Sequence, residues 1–294
     1  MEPGSGPVVV GGVGGSGTRL IAEMLQRVGI HLGPDLNSAR DNLWFTLLFR
    51  RPQWLARALR SEDSSQVVRS LSWFENAMLG RLQVDDELRR VLADAVEELV
   101  TQGLDRAVVQ EWSRHFVEWG TAATEECRWG WKEPNSHVYI EFLAQHFGDR
   151  IHYVHVIRDG IALARRGNYR QLQNWGGQFG VPFDFRARAS DPAVLRSAFL
   201  DYWIAANKRA LLLGPRLFGT RFLVMNLDHV RRNPTPDVVR LLEHLDFDAS
   251  QHLVSSLSAM TEPPSNQPAP SDYYGLTEEQ RRGFAELGFD IPVP

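Results

Sequence analysis

The sequence predicts a three-layer α/β domain, in which helices cover both faces of a parallel sheet. A β-branched run at residues 7–10 leads through a glycine-rich turn at 11–17 into an amphipathic segment at 18–28, which forms a strand–turn–helix unit. Strand-like and helix-like segments then alternate through the second half of the chain. Such alternation is typical of a parallel sheet covered on both faces.

The remaining elements follow from the same periodicities. Further strands are predicted at 128–131, 151–157 and 221–225, and helices at 137–147, 161–175, 192–213, 236–245 and 277–287. Residues 44–127 show helical periodicity, charged faces and many tryptophans, most of which we expect in the core. We therefore predict one domain spanning 1–294 with an inserted helical lobe at about 44–127, and a Pro/Ser-rich loop at 262–272.

The composition excludes some classes of function and favours others. The 294 residues are 43% hydrophobic and 23% charged, with a formal net charge of -4, which argues against a general nucleic-acid or membrane surface. We find no apolar run that could span a bilayer and no basic region before the first apolar stretch. The single cysteine, Cys127, rules out an internal disulfide and is expected to be a small buried hydrophobe. A cytosolic enzyme is the expectation.

Polar and glycine residues follow each predicted strand. Ligands of open parallel sheets lie beyond the carboxyl ends of the strands, so we expect the glycine-rich turn, Lys132, Arg158 and Asn226 to converge on one crevice. Glycines let backbone N–H groups wrap a phosphate at a helix N-terminus, and Ser16 and Thr18 add hydroxyl donors. This crevice is therefore predicted to bind a phosphorylated nucleotide.

The turn fits two known nucleotide-binding patterns incompletely. Residues 12–17 have the glycine spacing of a Walker A loop, but the lysine and the magnesium-binding hydroxyl are missing, which argues against a kinase or ATPase. Gly12, Gly14 and Gly17 match the dinucleotide fingerprint, and Asp35 stands where an acidic ribose ligand is expected. Residues 29–33 make a poor second strand for that fold. A nicotinamide- or flavin-dependent oxidoreductase is the alternative hypothesis.

Four segments carry a family resemblance. Residues 15–19 (GSGTR), 132–134 (KEP), 155–160 (HVIRDG) and 223–230 (LVMNLDHV) occur in an order and structural setting that resemble the bacterial sulfotransferases. That family uses 3′-phosphoadenosine 5′-phosphosulfate (PAPS) and has a P-loop-NTPase-like fold. The resemblance covers most of the chain, except much of 54–125. It implies transfer of a sulfuryl group to a hydroxyl or amine of a small molecule, glycan or peptide, without a metal.

The resemblance also implies site residues. The residues expected to bind PAPS, or its bisphosphate product, are Gly14, Gly15, Ser16, Gly17, Thr18, Arg19, Arg158 and Arg166. Many members have Lys or Arg where Gly15 stands, so Arg19 or Lys132 is expected to supply the missing positive charge. Arg166 replaces a serine and could instead lie on a solvated helix face, and Arg158 could instead pair with a carboxylate. A non-catalytic nucleotide-binding relative is therefore a further alternative.

Lys132 is the leading catalytic candidate, acting where charge develops on the leaving oxygen; the alternative is a structural pair with a neighbouring carboxylate. For the general base, the resemblance favours Asp41, although an N-cap role for Asp41 is an equal alternative. Glu133 and His137 are the other candidates for the base. His152 and His155 lie three apart on a predicted strand and therefore cannot chelate a metal together.

Overall fold

A computed structural model describes residues 6–61, 64–123, 127–263 and 267–291. Its centre is a four-stranded sheet in the order β2-β1-β3-β4. The strands are β1 (Val8–Gly11), β2 (Gly130–Lys132), β3 (His152–Ile157) and β4 (Phe222–Asn226). All three neighbouring pairs are parallel, so the four carboxyl ends lie at one edge of the sheet.

Fifteen helices are described around this sheet. In chain order they are α1 (Thr18–Arg27), α2 (Leu43–Phe49), α3 (Pro52–Arg60), α4 (Ser65–Met78), α5 (Asp86–Thr101), α6 (Arg106–Gly120), α7 (Ile140–Phe147), α8 (Gly160–Ala164), α9 (Arg170–Trp175), α10 (Phe185–Arg188), α11 (Pro192–Phe218), α12 (Leu227–Arg232), α13 (Pro234–His244), α14 (Gln251–Ser258) and α15 (Glu278–Glu286). Short 3₁₀ turns precede α7, β3 and β4.

Alternating side chains of β1 separate the two halves of the core. Val8 and Val10 are buried with residues of α1, α13 and α14 on one face. Val9 is buried with residues of α7, α11 and the helical lobe on the other face. Because successive strand side chains point to opposite faces, an uninterrupted apolar strand requires helices on both sides. The predicted three-layer α/β fold is confirmed.

Helices α2 to α6 form a helical lobe, which packs against the β2 edge of the sheet. Trp44 of α2 meets Phe116 of α6 edge to face, with ring centroids 5.4 Å apart. Phe45 stacks on Trp131 of β2 at the same centroid distance of 5.4 Å. Such aromatic pairs contribute about 1 kcal/mol each beyond the area they bury. They hold the lobe beside the carboxyl edge of the sheet.

Three local predictions were wrong. The segment 161–175 is not one helix, because Gly167 adopts a left-handed φ of 68° and separates α8 from α9. Helix α11 does not end near 213 but continues through Pro215, and its last residue, Phe218, stacks on Tyr153 with centroids 5.6 Å apart. Cys127 is exposed, not buried, because it lies in the connection between the lobe and β2.

Candidate functional site

The glycine-rich turn joins β1 to α1 at the carboxyl edge of the sheet. Gly15 and Gly17 have φ angles of 92° and 94°, which side chains other than glycine rarely adopt. A Cβ at Gly17 would also lie 2.5 Å from a methyl carbon of Leu227. The turn is closed by a 3.0 Å hydrogen bond from the Ser16 N–H to the Val13 carbonyl. The geometry therefore requires glycine at this turn and directs the N-terminus of α1 to the sheet edge.

Ser16 has an unsatisfied hydroxyl beneath the turn. The side chain is fully buried, and its oxygen has no hydrogen-bond partner within the described part of the chain. An unpaired buried polar group costs about 1–3 kcal/mol, so such groups call for an explanation. Removal of this hydroxyl should therefore cost little or no stability.

Lys132 ends β2 and is 97% buried, with 3% of its side chain exposed. Its ammonium group donates to the carboxylate of Asp41 and, over 3.0 Å, to the Ala39 carbonyl. The second Asp41 oxygen accepts from the Asn37 side-chain amide at 2.9 Å. Lys132 and Asp41 thus form an ion pair, and Asp41 is oriented from two sides.

The cap of α2 is Asn42, whose side chain accepts from the Phe45 N–H at 2.9 Å. The N-cap interpretation of Asp41 is therefore wrong by one residue. Asp41 is free of that role and faces the cleft described next.

A cleft of about 470 Å³ lies along the carboxyl edge of the sheet. Among the predicted residues, those lining it are Gly14, Gly15, Gly17, Thr18, Arg19, Asp41, Lys132, Arg158 and Arg166. Ser16 lies buried behind this wall rather than in it. Asn226 does not line the cleft, because its side chain caps α12 by accepting from the Asp228 N–H at 2.9 Å. We call this space the donor cleft.

Three arginines concentrate positive charge in the donor cleft. Arg158, at the end of β3, is 4% exposed, and its Nε lies 3.7 Å from Asp228 Oδ1. Arg166 and Arg231 line the same wall, and in the part of the chain that the structure describes neither has a carboxylate within 4.0 Å. Burial lowers the pKa of Arg158, and the positive charge of Arg166 lowers it further. These like charges would be stabilised by a bound anion.

The arginines around Gly15 and α1 differ in their contacts. The Arg166 Nη1 atom would lie 3.8 Å from a Cβ built at Gly15. The guanidinium of Arg166 is therefore next to the position in the turn at which the sequence has glycine and no cation. Arg19 reaches the cleft but is largely exposed, and its Nε lies 3.8 Å from Glu23. Sequence reasoning missed Arg231, whose only signal was its place on the helix that follows β4.

A second cleft of about 370 Å³ adjoins the donor cleft, and Gly14, Asp41, Pro134 and Asn168 line both. We call it the acceptor cleft. Its wall includes the buried Glu133, whose two oxygens accept from the backbone and side-chain amides of Asn135 at 2.6 and 2.8 Å. Burial and the negative charge of Asp41 raise the pKa of Glu133 to about 7.

The acceptor cleft is connected to the glycine-rich turn by side-chain amides. Asn135 Oδ1 accepts from Gln171 Nε2 at 2.8 Å and from the Trp175 indole at 2.8 Å. Gln171 Oε1 in turn accepts from the Gly14 N–H at 2.7 Å. This chain of hydrogen bonds fixes the boundary between the two clefts.

Several other sequence candidates lie elsewhere. His137 contacts the Pro134 carbonyl at 2.8 Å and the Tyr202 hydroxyl at 3.2 Å, burial lowers its pKa to about 3, and it lines neither cleft. Asp35 contacts His115 at 3.0 Å, not the donor cleft. His155 contacts Asn207 at 2.9 Å, whereas the His152 ring lies against His244.

No group of three or more His, Cys, Asp or Glu side chains within residues 6–61, 64–123, 127–263 and 267–291 is placed to hold a metal ion. No helix among them is long and apolar enough to cross a bilayer. After α1 the chain makes an isolated bridge, His31 to Trp129, and then enters the lobe, so the second strand expected of a dinucleotide-binding unit is not formed there.

A parallel sheet with a glycine-rich turn and a basic cleft at its carboxyl edge is typical of α/β proteins that bind phosphorylated nucleotides. A sequence model of the sulfotransferase family matches residues 7–251. The chain belongs to this family.

One solved structure supports the fold, and a second shows similarity alone. The sulfotransferase STF9 from Mycobacterium avium is 17% identical, with a TM-score of 0.52 over 100% of this chain and 79% of that chain. The sulfotransferase STF1 from Mycobacterium tuberculosis is 16% identical, with a TM-score of 0.47 over 96% of this chain and 77% of that chain. A comparison with curated proteins gives no significant match.

Proposed function

We propose that this protein transfers a sulfuryl group from PAPS to a hydroxyl or amine group of an acceptor that enters the acceptor cleft. The observation that carries the proposal is the position of the Lys132–Asp41 pair. It lies beside the glycine-rich turn in the donor cleft, and Asp41 also lines the acceptor cleft. A fixed cation at the junction of two clefts is suited to a transfer in which negative charge develops on the leaving oxygen.

The donor cleft fits a ligand with two phosphate-bearing ends. The backbone N–H groups of the turn would hold the 5′ end, and Arg158, Arg166 and Arg231 would hold the 3′-phosphate. When bound, PAPS supplies an activated sulfuryl group.

The side chains at the junction of the two clefts have separate roles in the proposed transfer. Lys132 stabilises negative charge on the leaving group, and Asp41 positions Lys132 through their ion pair. Glu133, whose pKa of about 7 suits proton transfer near neutral pH, takes the proton of the acceptor hydroxyl. Glu133 is therefore our choice for the base, in preference to Asp41, because Asp41 is held in an ion pair with Lys132, whereas the hydrogen-bond partners of Glu133 are the neutral amides of Asn135. Arg19 supports the charge of the turn from its exposed position.

Transfer of radiolabelled sulfate from PAPS to a panel of hydroxyl and amine acceptors tests the proposal. We expect labelled acceptor and adenosine 3′,5′-bisphosphate (PAP) in equal amounts. If the protein binds the bisphosphate but labels no acceptor in the panel, and leaves PAPS unconsumed, it is a non-catalytic relative and the proposal is wrong.

A further inference from the structure

A polar groove extends the acceptor cleft away from the sheet. This outer groove has a volume of about 720 Å³, and Arg50, Arg170 and Asn174 line both it and the acceptor cleft. Gln173 and Gln178 add further side-chain amides to its wall. The donor cleft, the acceptor cleft and the outer groove therefore form one path, since each shares residues with the next.

Arg50 and Arg170 bring two positive charges to this path. Arg50 follows α2 in the lobe, Arg170 begins α9, and both line the acceptor cleft and the outer groove. Burial lowers the pKa of Arg50, Glu133 partly offsets this, and Arg170 lowers it further. Within the described ranges neither guanidinium forms an ion pair. Arg50 is half-buried and Arg170 is exposed, and two like charges on one wall without a direct counterion favour an anionic ligand.

The nearby carboxylates of Glu133 and Asp41 are not direct ion-pair partners of Arg50 or Arg170. The oxygens of Glu133 accept from Asn135, and those of Asp41 accept from Lys132 and Asn37. Glu133 and Asp41 act on Arg50 only through their negative charge, without a hydrogen bond or ion pair to it. An anionic group that entered the groove could therefore contact the two guanidinium groups directly.

The other wall residues indicate what accompanies the anionic group. Thr46, Asn174, Gln173 and Gln178 present hydroxyl and amide groups, which match the hydroxyls of a carbohydrate as both donors and acceptors. Trp112 and Leu43 provide an apolar wall in the acceptor cleft on which a sugar ring could lie. A mainly apolar acceptor would cover the side-chain amides of Asn174 and Gln173 without giving them partners, at some cost in free energy.

We propose that the acceptor is a carbohydrate that carries an anionic group, which Arg50 and Arg170 bind while a hydroxyl group lies at the junction with the donor cleft. This inference rests on the proposed function, since it names the acceptor of that reaction. A carboxylate and a phosphate would satisfy the same two guanidinium groups. The experiment therefore includes both sources of negative charge.

Binding is measured by calorimetry or ligand-observed NMR on the full chain saturated with PAP. The probes are a hyaluronan tetrasaccharide against the neutral chitotetraose, and glucose 6-phosphate against glucose. We expect at least one anionic probe to bind about tenfold or more tightly than its neutral partner, because charge-assisted hydrogen bonds to guanidinium are worth that much. The pair that shows the preference identifies carboxylate or phosphate as the source, and added salt should weaken it.

Three variants locate the effect. Arg50→Ala and Arg170→Ala should each abolish most of the anionic preference and leave PAP affinity unchanged, whereas Arg50→Lys should keep part of it. Arg60→Ala is the matched control, because Arg60 is an exposed arginine of α3 that lines neither cleft nor groove. If Arg50 only balances Glu133, then Arg50→Ala changes stability but not the preference. Equal affinities in both probe pairs, or a preference that survives both alanine variants, would overturn the inference.

Transfer of labelled sulfate is read out separately. Binding of an anionic probe without any transfer to any acceptor would contradict the proposed function but support the anionic groove. Efficient transfer to phenols or neutral sugars, with no anionic preference in binding, would support the function and overturn the groove assignment. The two proposals can therefore fail independently.

Discussion

Replacement of Lys132 by alanine separates a catalytic role from a structural one. Lys132 is 3% exposed and Asp41 is 21% exposed, so the substitution leaves a partly buried carboxylate without its cation. Breaking a fully buried pair costs about 3–5 kcal/mol, and the access of Asp41 to water should reduce this to about 2–3 kcal/mol. We therefore expect a clear fall in melting temperature in Lys132→Ala whichever role the lysine has.

Turnover distinguishes the two roles when Asp41→Asn is used as the matched variant. Asparagine has the same shape and still offers an oxygen to Lys132, so the lysine should stay near its place. If Lys132 acts on the leaving group, Lys132→Ala should lower turnover about a hundredfold or more, equivalent to about 2.7 kcal/mol. Asp41→Asn should lower it by about tenfold or less, and Lys132→Arg should rescue only part of the loss.

The assay is transfer of labelled sulfate at saturating PAPS, expressed per folded molecule, with the melting temperature of each variant measured alongside. Normal turnover in Lys132→Ala would refute the reasoning. Equal losses in Lys132→Ala and Asp41→Asn would also refute it, because they would show that only the ion pair matters.

Three further predictions concern the turn and the acceptor cleft. Ser16→Ala should leave the free protein as stable or about 1 kcal/mol more stable, because it removes an unpaired buried hydroxyl. Thermal unfolding measures the effect, and a loss of stability would contradict it. Gly17→Ala should lower the free energy of unfolding by about 1–3 kcal/mol, because the φ angle of Gly17 is 94° and the new Cβ would clash with Leu227. In the control Gly14→Ala, the new Cβ contacts only Gln171, at an ordinary 3.6 Å, so equal losses of stability in the two variants would refute the steric explanation. Between about pH 4.5 and 7, Glu133 is protonated in the folded protein, where its pKa is raised to about 7, but ionised in the unfolded chain; the free energy of unfolding should therefore fall by about 3 kcal/mol as the pH rises through that window, while kcat rises toward a plateau above pH 7. Glu133→Gln should flatten the pH profile of stability and remove most of the activity. Unchanged profiles in this variant would exclude Glu133 as the base.

Local patterns predicted the parts of the site that are formed by consecutive residues. The β-branched strand, the glycine-rich turn and the amphipathic helix appear in the structure as β1, the turn and α1. Lys132 and Arg158 could be located because they end strands, and parallel strands bring their carboxyl ends to one edge. Topology alone therefore predicted the convergence of Lys132 and Arg158, although the same argument failed for Asn226, whose side chain caps α12.

Features that depend on packing between distant segments could not be predicted in this way. The raised pKa of Glu133 arises from its burial beside Asp41, which lies about ninety residues earlier in the chain. Arg50 reaches the acceptor cleft only because the lobe packs on β2, and Arg231 only because α12 runs beside the turn. The sequence could not show that Asn42, and not Asp41, caps α2, because asparagine and aspartate cap helices equally well.

The most direct test of the account is calorimetry of PAP against adenosine 5′-phosphate, which lacks only the 3′-phosphate. If the arginines of the donor cleft hold that phosphate, PAP should bind more tightly by about 1.5–3 kcal/mol. Arg158→Ala should remove most of this difference. Arg165→Ala should not, because Arg165 is exposed, pairs with Asp272 at 2.8 Å and does not line the cleft. Equal affinities for the two nucleotides in the unmodified protein would contradict the assignment of the donor cleft.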